Sequence, residues 1–166
     1  EQEGKNALGW TLAQRLQPIE HVEDRFDAIR MFKNTELLRI GVRDLSGLAD
    51  NDEVMFRISI LAEVILEQVL KDAMEALVTR HGEPRCTVAT GEKRVAFAIM
   101  AMGKLGGREL NYASDLDLIF IHDSEGTQQW THGTHSISNE LFFARLGQKI
   151  ISHITTLTRN GLLYEL

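Results

Sequence analysis

Cysteine is nearly absent from this 166-residue chain: Cys86 stands alone, so no internal disulfide is possible. That usage suits a reducing compartment, and the cytosol is the expected location. Long apolar runs are missing too. None approaches the roughly 18 to 20 consecutive residues of a bilayer span, and the first twenty residues lack the basic head and apolar stretch of a secretory signal. No membrane role is expected. A basic excess is also lacking, since 18 Lys and Arg stand against 24 Asp and Glu for a net charge of −6. Nucleic acid would therefore need a local basic groove, and the sequence offers none. What is present, 43% hydrophobic and 25% charged residues, is the profile of one soluble globular domain or two small ones.

Apolar periodicity divides the chain. Val22, Phe26, Ile29, Phe32 and Leu37 recur at nearly helical spacing and predict an amphipathic helix over 21–45. Ser46-Gly47 breaks it, and Asp50, Asn51 and Asp52 supply N-cap oxygens for a second helix. Ile58, Leu61, Ile65, Val69 and Ala73 carry its stripe to about Arg80, where Gly82 and Pro84 stop it. Leu8, Leu12 and Leu16 suggest a short leading helix. The stretch from Pro84 to Lys93 is polar and reads as the boundary between a helical segment, 1–83, and a core, 84–166. Val95–Met102 is a continuous apolar run expected to be a buried strand, and Leu116–Ile121 is a second. Residues 123–137 read as loop, and a last helix capped by Ser136 or Ser138 runs to Asn160-Gly161. Residues 161–166 look like a strand just beginning, so the core is expected to stop mid-fold.

Chemistry concentrates between the two apolar runs. Asp115-Leu116-Asp117 opens the second, and a period of two puts both carboxylates on one face with Leu116 on the other. Like charges so close favour a neutralising cation, and hard divalent ions such as Mg²⁺ prefer carboxylate oxygens. Alone, an Asp-x-Asp is more often two solvated acids. Here it follows a glycine-rich turn, Gly103-Lys104-Leu105-Gly106-Gly107-Arg108, whose glycines allow close approach to phosphate oxygens and whose cations attract them. The alternative is a tight turn between paired strands. Neither the dinucleotide fingerprint nor a P-loop fits its glycine spacing.

The run from Phe97 through Gly103-Lys104-Leu105-Gly106-Gly107 and Ser114-Asp115-Leu116-Asp117 to Phe120 resembles the signature of the glutamine synthetase adenylyltransferases. Its flanks, Phe32-Lys33 to Ile40 and Phe142-Phe143 to Glu165, are similar to the same family, and the likeness covers about residues 25–166. It implies an α+β fold: a helical N-terminal part, then a DNA polymerase β-like nucleotidyltransferase core with a small mixed sheet, cut short at its C-terminal end. Asp115 and Asp117 match the family's paired metal-binding acids, and Gly103, Lys104, Gly106, Gly107, Arg108 and Ser114 its nucleotide-binding turn. The implied reaction moves AMP from ATP, with Mg²⁺, to a tyrosine of glutamine synthetase, and the implied regulator is a PII protein. Family members fuse an adenylylating half with one that removes AMP by phosphorolysis. Ile121-His122-Asp123 and Gly161-Leu162-Leu163-Tyr164-Glu165 resemble the attaching half, while Glu109-Leu110-Asn111-Tyr112 resembles the removing half; the attaching half is favoured. The family's third carboxylate is expected just past Leu166, so these 166 residues are expected to fold yet turn over poorly.

Other titratable residues read more plainly. His132 and His135 form a His-x-x-His in a polar loop without further ligands, and a solvated loop accounts for them better than zinc. His122 at a strand end and Glu109 in the turn are likewise expected to be surface residues. A module of another class, in which the core senses nucleotide without catalysis, is the competing reading.

Overall fold

The computed structural model describes residues 2–166. Three helices open the chain: α1 (Gln2–Leu16), α2 (Val22–Leu45) and α3 (Asn51–His81). The predicted helices agree with these bounds to within a residue or two. At the start of α3, Asp50 accepts the Glu53 amide through Oδ1 at 2.8 Å, a side-chain N-cap. At its end, Gly82 takes φ +82 and its amide reaches the Val78 carbonyl at 2.8 Å. Glycine serves there because the left-handed conformation strains any residue with a Cβ. No helix of the described residues is long and apolar enough to cross a membrane.

The polar stretch after α3, read from the sequence as a boundary, is itself regular structure. It forms β1 (Glu83–Val88) and β2 (Gly91–Arg94), paired antiparallel with Val88 opposite Gly91 across a two-residue turn. Only Pro84 and Cys86 of β1 are buried, and the exposed partners are charged. Arg85 pairs with Glu92 at 3.4 Å and Arg94 with Glu83 at 3.3 Å across the ladder. A strand whose outward residues are all polar and whose inward ones are two small side chains leaves almost no apolar signal. The second miss has the same cause: β5 (Thr127–His132) lies within the supposed loop 123–137 and pairs antiparallel with β1, giving the order β2-β1-β5.

The remaining strands, β3 (Phe97–Ala101) and β4 (Leu118–His122), form a separate two-stranded sheet, and α5 (Asn139–Thr155) follows with Ser138 Oγ accepting the Leu141 amide at 3.3 Å. The architecture is thus α+β with a helical N-terminal region and small sheets.

The chain folds into two compact units. One holds the residues up to Val69 with Ala101–Asp117 and His153–Leu166. Its core is Leu12 and Leu16 of α1, Ile29 and Phe32 of α2, and Ile58, Leu61 and Ile65 of α3, each at most 2% exposed. Burying side chains of this size stabilises by about 1.5–3 kcal/mol apiece before the entropy cost of ordering them. The other unit holds Leu70–Met100 and Leu118–Ser152. There one face of the β3–β4 sheet lies under α5: Phe97 stacks on Phe143 at 5.7 Å and meets Phe120 at 5.8 Å. A Cβ on Gly147 would stand 3.2 Å from the Phe120 ring, so the helix comes in close because that residue has none. The opposite face is open. Met100, Ile119 and Ile121 are each more than 40% exposed, so the apolar run expected to be buried on both sides is covered on one.

Candidate nucleotide and metal site

The residues singled out in the sequence, 103–117, all lie in the first unit. Asp115 and Asp117 precede β4 and lie outside any strand, where the sequence placed them at the start of one. The period of two still holds. Leu116 is 1% exposed while both carboxylates are exposed, so the acids share the side away from the core. Two backbone bonds fix this register: the Leu116 amide donates to the Glu165 carbonyl at 2.9 Å, and the Met102 amide to the Asp117 carbonyl at 2.8 Å. Residues 161–166, expected as a strand, form none; the Thr158–Gly161 bridge, the amides of Leu163 and Tyr164 on the Ile154 carbonyl at 3.1 and 3.3 Å, and the Glu165 bond tie them down.

Asp117 also defines Gly103. That glycine has φ +51, and a Cβ on it would overlap Asp117 Oδ2. The carboxylate therefore rests against the glycine's bare Cα, and a side chain at 103 would have to displace it as well as bear the strain of a positive φ. Gly103 begins α4 (Gly103–Gly106), a single helical turn. The amides of Gly106, Gly107, Arg108 and Glu109 are bonded to the carbonyls of Met102, Gly103, Leu105 and Lys104 at 2.7–3.1 Å. These four N–H groups close the turn. Gly106 is confined as well, because a Cβ there would lie 2.7 Å from the Ala101 carbonyl oxygen.

Of the two cations, Lys104 is exposed and its ammonium has no ion-pair partner among the described residues, whereas Arg108 is engaged. Arg108 has φ +57, rare for a residue with a Cβ, and its Nε donates to Glu63 Oε1 of α3 at 2.8 Å. Its guanidinium also lies 5.7 Å from the centroid of the Phe56 ring. Glu63 in turn accepts Lys5 Nζ of α1 at 2.7 Å. Burial by itself would push the Glu63 carboxyl up; the hydrogen bonds from Lys5 and Arg108 outweigh that and hold it below the ordinary carboxylate value. Two more ties hold the same loop to the helices. The Leu110 amide donates to Ser59 Oγ at 3.1 Å in the core, and the Tyr112 hydroxyl donates to Asp44 Oδ2 at 2.9 Å. Ser114 Oγ accepts the Asn111 amide at 3.1 Å and so shapes the last turn before the acids. Nothing in the sequence announced Glu63, Ser59 or Asp44, which sit on helical faces among ordinary polar residues.

The matching family model is that of glutamate-ammonia ligase adenylyltransferase, and it covers residues 2–166. The chain belongs to this family. It is 42% identical over 148 residues to the bifunctional glutamine synthetase adenylyltransferase/adenylyl-removing enzyme of Thioalkalivibrio sulfidiphilus. The enzymes of the same name from Hahella chejuensis and Haemophilus ducreyi are 41% and 42% identical over 149 and 150 residues. Each match takes in 89% of this chain and 15% of the relative, so the chain spans about a seventh of the length of these adenylyltransferases.

The donor set, two carboxylates, suits a hard divalent cation. Asp115 and Asp117 are oxygen donors on one side of the backbone, and neither has a hydrogen bond or ion pair to a described side chain. No group of three or more His, Cys, Asp or Glu side chains placed to hold a metal occurs among the described residues. His132 instead faces Glu92, Nε2 to Oε1 at 3.2 Å, an exposed contact on the β-sheet rim.

Proposed function

We propose that this chain carries the nucleotidyl-transfer site of an adenylyltransferase that moves AMP from ATP to a tyrosine of glutamine synthetase. The observation that carries the reading is the carboxylate pair: two exposed acids, neither paired with a described side chain, flank a buried leucine, and one rests against the bare Cα of Gly103. Asp115 and Asp117 would hold Mg²⁺, which supplies positive charge to oxygens of the α-phosphate as negative charge builds there. Gly103 keeps the space beside Asp117 clear, and Lys104, exposed and without an ion-pair partner among the described residues, offers a cation for the polyphosphate. Gly106 and Gly107 would serve by closing the turn through their amides, Arg108 by tying it to Glu63 of α3, and Ser114 by accepting the Asn111 amide at its exit. In the reaction the tyrosine oxygen forms a bond to the α-phosphorus, the bond from that phosphorus to the bridging oxygen breaks, and pyrophosphate departs while the hydroxyl proton passes to a base.

The reverse assignment, removal of AMP from the tyrosine by phosphate, uses the same acids. Glu109-Leu110-Asn111-Tyr112 is the feature that favours it. Either direction needs more acidic ligands than these two, so low turnover is expected from the 166 residues alone. A PII protein as regulator follows from the family reading and a cytoplasmic location from the cysteine usage; both remain part of the proposal.

The test is ATP binding by titration calorimetry with and without Mg²⁺, in the wild type and in a variant carrying Asp115→Asn and Asp117→Asn. Metal-dependent binding that the variant loses is the expected result. Binding equal in both proteins overturns the metal site and leaves a nucleotide sensor.

A further inference from the structure

The helix α2 turns one polar stripe toward the segment that ends the chain. Arg30 is 2% exposed, and its Nη2 donates to the carbonyls of His153 and Thr156 at 3.2 and 2.8 Å, closing the end of α5. Asp27 Oδ1 accepts the Thr158 hydroxyl at 3.1 Å, and Asn34 donates to the Asn160 carbonyl at 3.3 Å. Lys33, between them on the stripe, donates to the Leu163 carbonyl, and its ammonium lies 4.3 Å from the centroid of the Tyr164 ring. Residues 27, 30, 33 and 34 fall on one helical face, and their partners follow one another along the segment from 153 to 163. Glu165 is the next link. Its carbonyl receives the amide of Leu116, the residue between the two acids.

Lys33 is the unusual member of this stripe. No carboxylate among the described residues pairs with it, and burial pushes its ammonium below the ordinary lysine value. An aliphatic side chain would cover the same apolar surface without desolvating a charge. A cation kept at that cost does something an aliphatic chain does not, and here it grips a carbonyl two residues from the one that holds Leu116.

We infer that the Asp27–Asn34 face of α2 is a clamp on the closing segment, with Lys33 the positioning residue that fixes where Leu116, and so the carboxylates on either side of it, come to rest. The inference rests on the proposed role of Asp115 and Asp117, but the clamp itself is read separately from that role. Hydrogen–deuterium exchange on the full chain, with Lys33→Met, Lys33→Arg and the wild type, gives the direct readout. Lys33→Met is expected to speed exchange at Leu116 and over 162–166 by about tenfold, the effect of removing roughly one hydrogen bond from a local opening. Amides of β1 and β5 should keep their rates, and Lys33→Arg should recover most of the protection. Mn²⁺ titrated into the same proteins should bind several-fold more weakly to Lys33→Met, at unchanged protection of the distant sheet. Should Lys33→Met fail to fold, Asn34→Ala removes one exposed tie, and faster exchange confined to 158–166 is the expected result. Unchanged exchange at Leu116, or acceleration spread evenly over the chain, overturns the clamp. If wild-type Mn²⁺ binding is absent, or survives Asp115→Asn with Asp117→Asn, the functional reading fails while the exchange result still decides the clamp.

Discussion

Arg108 and Glu63 meet as a fork, Nε to Oε1 at 2.8 Å and Nη2 to Oε2 at 3.5 Å, and the arginine holds a left-handed backbone while doing so. An ion pair in that position is a strut: it spans 45 residues of sequence and ties the glycine turn to α3. Glu63→Gln should cost about 1 kcal/mol of stability, no more, because Arg108 is more than a third exposed and solvent screens its half of the pair. The larger effect should fall on the turn, read as lower protection of Glu109 and Leu110 in hydrogen exchange.

The same residue sets a pH dependence. Its carboxyl is depressed in the folded chain, so its contribution is present above the unfolded value, near 4.5, and is lost as pH falls through the folded one. Wild-type stability should therefore decline as pH drops below about 4.5, and denaturant titrations of Glu63→Gln should show a shallower decline across that window. Parallel curves for the two proteins would contradict the strut.

Gly103→Ala places a methyl where Asp117 Oδ2 now lies and forces a Cβ onto φ +51. The backbone cost alone is about 1–2 kcal/mol, which a melting curve will register. Mg²⁺-dependent nucleotide binding should fall further than stability, since the displaced group is a proposed ligand. A variant that melts lower yet binds as before would separate Asp117 from the metal.

Neutralising the acids should have the opposite balance. Asp115 and Asp117 are exposed and support no ion pair among the described residues, so Asp115→Asn with Asp117→Asn should leave the stability of the metal-free chain within the small range of ordinary surface changes, about 0.5 kcal/mol. Added Mg²⁺ and ATP should raise the melting temperature of the wild type and leave that of the variant alone.

Tyr164 is a quieter case. Its ring is buried, its hydroxyl has no hydrogen-bond partner among the described residues, and burial drives the phenol well above its ordinary value. Removing a buried hydroxyl that bonds to nothing costs little or stabilises. Tyr164→Phe should melt at or above the wild-type temperature, and a clear drop would mean the hydroxyl is satisfied in solution.

How far the sequence disclosed this arrangement depends on what each element buries. The stripe from Ile58 to Ala73 announced α3 because its inward residues are large and regularly spaced, and the alternation of Asp115, Leu116 and Asp117 announced which way the acids face. β1, β2 and β5 stayed hidden because their apolar faces are as slight as Pro84 and Cys86 and their ladders are decorated with charge. Arg108 was legible as a cation beside glycines; its engagement by Glu63 was not, since a pairing between residues 63 and 108 follows from tertiary packing and leaves no local mark. The same holds for Lys33, which in sequence is one lysine on an amphipathic helix.

The uncovered face of the β3–β4 sheet bears on how the chain behaves as a solute. Met100, Ile119 and Ile121 present branched or polarizable apolar surface, and a net charge of −6 opposes the approach of a second copy. Salt screens that repulsion without touching the apolar attraction. The colloidal stability of this chain should therefore worsen as ionic strength rises, with light scattering growing under conditions that leave its secondary structure intact.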